Sequence, residues 1–211
     1  MTTQTQDFAS GPLEEFTQQE TLTGYVAHPT QDDFFIHGER VLDQMSAGGS
    51  YAALVLLTLT GKIASPAQLT RFERALQLCA VMDIAEGPCH AARLARVQKA
   101  HGHGVASVAC VHLAHRARNI MDYTTALQAW MRDPSLELRA ERPRRLEQDP
   151  GQAYVDRALG GYHDELLCLL RERDPSLDEC IVALLHVSGL TERWQKEAAL
   201  TMAGLPLAMA E

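Results

Sequence analysis

Two acids, Asp178 and Glu179, stand directly before an apolar run in "PSLDECIVALLHVSGL", Pro175 to Leu190. Carboxylates in that position suit two kinds of work. At the start of a helix, Ser176 can cap the first turn and Glu179 can complete a capping box. Asp178 then sits where the helix dipole favours an anion, by about 0.3–1 kcal/mol. Held in a cleft instead, the same Asp178 carboxylate is a general base. The local pattern supports the capping role, and the catalytic role stays open.

Other residue types with chemical potential cluster earlier. The chain has nine histidines, and His90, His101, His103, His112 and His115 fall in one short section. His112 and His115 are three apart on an expected helix and share a face, a spacing that metal ligands use. No HExxH, no CxxC and no carboxylate at a diagnostic spacing accompanies them, so no metal is expected. Arg139, Arg142, Arg144 and Arg145 form a local basic run. Forked guanidinium contacts could clamp a phosphate or a substrate carboxylate there. The alternative is a solvated loop whose charge is balanced by Glu137, Glu141 and Glu147. The five cysteines are scattered and odd in number, which suggests buried free thiols in a reducing compartment, and hence a cytoplasmic protein. Cys89 is next to His90 in sequence, but adjacency alone does not orient a nucleophile and its base.

The elements that would position these groups read as helices. "SPAQLTRFERALQLCAVMD" opens with Ser65 as N-cap, Pro66 at the first helical position and Gln68 completing a capping box. Gly61 suits the left-handed residue that ends the helix before it. "GPCHAARLARVQKAHG" reads as a further helix, broken at Gly102 and Gly104 before "VASVACVHLAHRARNIMDYTTALQAWM". "DPSL" occurs at Asp133 and again at Asp174, a repeated helix-start device. Strand signals are confined to "YVAHPTQDDFFIHG". The expectation is an all-α protein: a flexible lead-in over residues 1–20 and one helical domain over 21–211. "YAALVLLTL" is apolar nearly all round, which suits a helix buried among others or at a homodimer contact. A net charge of −8 argues against nucleic acid as a partner. The longest apolar run is too short to span a membrane.

With these features in place, "IHGERVLDQMSAGGSYAALVLLTLTGKIASPAQLTRFERAL" and "HAARLARV" resemble the citrate synthase superfamily, especially its short citryl-CoA-lyase-like members. "PSLDECIVALLHVSGL" and "ALTMAGLPLAMAE" are similar to two later blocks of that family, in the same order. The resemblance implies an all-α, compact helical domain, usually dimeric, that takes an acyl-CoA and a small keto acid without a separate cofactor. In that family an Asp removes the α-proton of the thioester, one His hydrogen-bonds the forming enol, a second His polarises the keto carbonyl, and arginines hold carboxylates. Asp178 falls at the position of the Asp. For the first His, His90 in "GPCHAA" has the closer string, and His115 in "VHLAHRARN" lies nearest in order. The motif of the second His has no counterpart. Two functions follow: carbon–carbon bond formation or cleavage through an enolate, or a non-catalytic relative that senses a ligand or joins an assembly. Arg142, Arg144 and Arg145 are the expected substrate-binding residues.

Overall fold

The computed structural model describes residues 27–29, 34–46, 49–80, 82, 85–133, 154–155, 159–160, 164–173 and 175–210. The chain divides into two compact units, Met1–Ser50 and Tyr51–Glu211. The expected lead-in over residues 1–20 and the arginine run from Arg139 to Arg145 lie outside the described residues.

In the first unit, the region with the strand signals forms a small antiparallel sheet of β1 (Ala27–Pro29), β2 (Phe34–Ile36) and β3 (Glu39–Arg40). Ala27 pairs with Ile36 and Phe35 with Arg40. His37 and Gly38 join β2 to β3, both with positive φ (50° and 85°). Two consecutive left-handed residues are what a type I′ hairpin turn requires. A short helix α1 (Val41–Ser46) follows and packs on β2.

The second unit is helical and makes the fold all-α: α2 (Tyr51–Thr60), α3 (Pro66–Cys79), α4 (Gly87–Val97), α5 (Gly102–Tyr123), α6 (Thr125–Arg132), α7 (Glu165–Glu172), α8 (Leu177–Val187) and α9 (Arg193–Ala210). No described helix is long and apolar enough to cross a membrane. The capping predicted from sequence is present. Gln68 N donates to Ser65 Oγ at 3.3 Å, and Ser65 N donates back to Gln68 Oε1 at 2.9 Å. Gly61 is left-handed at φ 69° and donates to the Leu57 carbonyl at 2.8 Å.

Two boundaries differ from the sequence expectation. Gly102 and Gly104 do not break a helix; they form the first turn of α5. The break falls earlier, where Lys99 takes a left-handed φ of 60° and Ala100 N donates to the Ala95 carbonyl at 3.0 Å. This is a Schellman closure with lysine in the place glycine usually takes. The long run after it is also divided, at Thr124, into α5 and α6. Two side chains make that division tolerable by donating to the Met121 carbonyl: the buried Gln128 amide at 2.8 Å and Thr125 Oγ1 at 3.3 Å.

The main core gathers on α8, where Cys180, Ile181, Val182, Ala183, Leu184 and Leu185 are all fully buried. α3 packs along it, and Phe72, Ala75, Leu78 and Cys79 complete the layer. A smaller cluster lies where α9 crosses α4 and α5, with Cys89, Ala92, Val105, Ala109, Leu113 and Ala208. α2 is less enclosed than its composition suggests: Leu56 and Leu57 are buried, while Tyr51 is exposed.

The α9–α5 crossing depends on Gly204. A Cβ there would lie 2.5 Å from Leu113 Cδ2 and 3.1 Å from Met82 Cε. Overpacking of this kind costs about 1–3 kcal/mol, against about 0.5–1 kcal/mol gained by alanine over glycine in a helix. Gly204→Ala is therefore expected to lower the urea midpoint, and Leu113→Ala in the same chain to reduce that loss. A Gly204→Ala protein as stable as the parent would contradict the close packing.

Candidate functional site

Asp178 lies half-buried in the first turn of α8. The capping box around it forms as the sequence predicts: Glu179 N donates to Ser176 Oγ at 3.2 Å, and Ser176 N donates to Glu179 Oε2 at 2.7 Å. Glu179 and Ser176 thus satisfy the helix end between them, and Asp178 is not needed for that bond pair.

Its electrostatic neighbour is Cys79, at the last position of α3. Burial pushes the Cys79 thiol up to about 12; the Arg116 guanidinium opposes this and the Asp178 carboxylate adds to it. Burial also pushes Cys180 up to about 12. Both remain protonated thiols at neutral pH, so neither serves as a nucleophile. The sequence expectation of buried free thiols holds for Cys79, Cys89 and Cys180, while Cys168 is exposed.

Arg116, from the middle of α5, ties this region together. Its Nη1 donates to the Cys79 carbonyl at 3.2 Å, and its Nε meets Glu86 Oε2 at 3.1 Å. Glu86 is the residue from which α4 starts. One guanidinium therefore links the end of α3, the start of α4 and the body of α5, with Asp178 of α8 within electrostatic reach of the same cysteine. The charges and hydrogen-bond donors of this junction could hold a carboxylate-bearing molecule.

The histidines take other positions. His90 and His115 are both exposed. His115 immediately precedes Arg116, and successive helical residues diverge by about 100°, so the side chain that reaches Cys79 is the arginine. His112 lies against the first turn of α4, its Nδ1 3.4 Å from where a Cβ on Gly87 would be. With Ser107, Val108 and Val111 it lines a surface groove of about 300 Å³. His101 and His103 stack with ring centroids 5.7 Å apart. Among the described residues no group of histidines, cysteines and acids is arranged to hold a metal ion. Arg142, Arg144 and Arg145, the expected substrate clamp, are outside the described residues.

Lys196 and His186 were passed over in the sequence, although one signal for Lys196 was present. It falls on the same helical stripe as Ala199 and Leu200, and a lysine on an apolar stripe is unusual. The structure buries it to 1% exposure. No family model, no curated protein and no solved structure matches this chain.

His186 yields a test of burial at the far end of α8. Burial holds its imidazole below the ordinary value, and the positive charges of Lys196 and Arg132 act in the same direction, with Asp164 opposing. A folded-state value below the unfolded one means that the unfolded chain takes up the proton first as pH falls. Stability is therefore lost as pH drops below about 6.5. His186→Gln should flatten the fall in urea midpoint between pH 7.5 and 5.5. An unchanged slope would remove His186 as its source.

Proposed function

We propose that this protein is a citrate-synthase-like helical protein that binds a small carboxylic acid or a coenzyme A thioester beside Asp178 and Arg116, and that it binds this ligand without turning it over. The observation that carries the proposal is the set of groups around Asp178: Arg116 and the protonated Cys79, with His90 and His115 exposed. Enolate chemistry needs more than a carboxylate base. A hydrogen-bond donor must meet the forming enolate oxygen, in a position fixed before reaction. The resemblance assigns that role to His90 or His115, and an exposed imidazole is a poor fixed donor. A guanidinium held by Glu86 and by the Cys79 carbonyl is well suited to fixing an acid ligand in place.

The catalytic reading has one observation in its favour, a half-buried carboxylate base that acts on the same cysteine as an arginine. Calorimetry with the full chain separates the two. Binding is expected for acetyl-CoA or for citrate and oxaloacetate, weakened about tenfold by Arg116→Gln through loss of a charged hydrogen bond. A thiol-release assay is expected to show no turnover. Turnover that disappears in Asp178→Asn would replace the binding reading with the enzymatic one, and no binding of either ligand class would overturn both.

A further inference from the structure

Three basic side chains from three helices stand together at the end of α8 remote from Asp178. His186 is in the last turn of α8, Lys196 is one turn into α9, and Arg132 closes α6. α8 packs against both α6 and α9. The three are graded from solvent inwards: Arg132 is exposed, His186 half-buried and Lys196 1% exposed.

Among the described residues the cluster is short of negative charge. Burial first, and Arg132 second, lower the Lys196 amine from 10.5 to about 8, with Glu192 pulling the other way. Asp164 opposes the lowering of His186, but its own oxygens are engaged: Oδ1 accepts from Leu166 N at 3.2 Å, and Oδ2 meets Arg71 Nη2 at 3.4 Å. Among the described residues no carboxylate forms an ion pair with Lys196, Arg132 or His186. The Lys196 ammonium has three protons to donate, and its one hydrogen bond is to the Thr191 carbonyl at 3.2 Å. His186 Nδ1 is buried with no hydrogen-bond partner. The N-terminus of α9 adds positive partial charge on the side where Lys196 sits. Arg193, at that same N-terminus, is not part of the cluster, because Asp122 and Glu197 engage its guanidinium at 2.7 Å.

The positive charges of Lys196 and Arg132 repel one another, and a buried polar nitrogen without a partner, such as His186 Nδ1, costs about 1–3 kcal/mol. A single anion relieves both. We propose that Lys196, His186 and Arg132 form a binding site for a small oxyanion, a carboxylate or phosphate group, which enters past Arg132. It takes its hydrogen bonds from the Lys196 ammonium and from His186 Nδ1. Asp178 and His186 are separated by about 12 Å along the α8 axis, so this site is distinct from the proposed ligand position at Arg116, and either can fail without the other.

Calorimetric titration of the full chain with acetate and with inorganic phosphate, at constant ionic strength, tests the site. Acetate does not titrate between pH 7 and 9.5, so it isolates the lysine. Its affinity is expected to fall about tenfold for each pH unit above the free amine's value of about 8. Lys196→Met should abolish binding and the pH dependence together. Arg132→Gln, at an exposed position where folding is not at stake, should weaken binding about tenfold. Binding of acetate but not phosphate would define a carboxylate site, and the reverse a phosphate site. No binding of either anion, or binding unchanged in Arg132→Gln, would overturn the proposal.

Discussion

A helix buried on every side constrains all its neighbours. In α8 the run from Cys180 to Leu185 has no exposed face, so water must be excluded from its whole circumference. Burying a leucine or isoleucine side chain stabilises by about 1.5–3 kcal/mol, and only if another element covers it. α3 supplies one wall, and α6, α7 and α9 contribute others. A fully apolar middle also sends polar chemistry to the two ends of the helix. Asp178 lies in the first turn and His186 in the last, and both proposed binding positions follow from that division.

The ends are secured in different ways. At the start, the Ser176–Glu179 box satisfies the backbone, and Arg116 fixes the neighbouring helices through one carbonyl and one carboxylate. At the finish, Gly189 takes a positive φ of 105°, and Leu190 N closes back on the Leu185 carbonyl at 3.2 Å. The chain can then turn directly into α9, which brings Lys196 beside His186. A basic pair so placed results from the tight reversal between the two helices.

Local signals in the sequence carried local structure well. Ser65 with Gln68, Ser176 with Glu179, and Gly61 each name a helix end through chemistry within four residues. Where two solutions to the same local problem compete, the sequence misleads. Gly102 and Gly104 look like breakers, yet the chain turns at Lys99, because the Ala95 and Arg96 carbonyls can be closed there without a glycine. The Thr124 division was hidden for a related reason, since the side chains that satisfy the Met121 carbonyl there, Thr125 and Gln128, lie in the following helix. The candidate sites were the least legible part. Asp178 could be singled out, but its pairing with Cys79 and Arg116 is set by how α3, α5 and α8 pack. Lys196 was visible as an oddity on an apolar stripe, whereas Arg132 became its neighbour only through the folding of α6.

The depth of Cys79 and Cys180 has a consequence for kinetics. Both thiols are fully buried and stay protonated well above neutral pH, so a thiol reagent meets them only after the surrounding helices have separated. Cys168, exposed on α7, reacts without any such opening. Slow labelling at Cys79 and Cys180 therefore times the parting of α3 from α8, while Cys89, buried in the smaller cluster, reports on that cluster instead, and the protein carries its own clocks for excursions of the core.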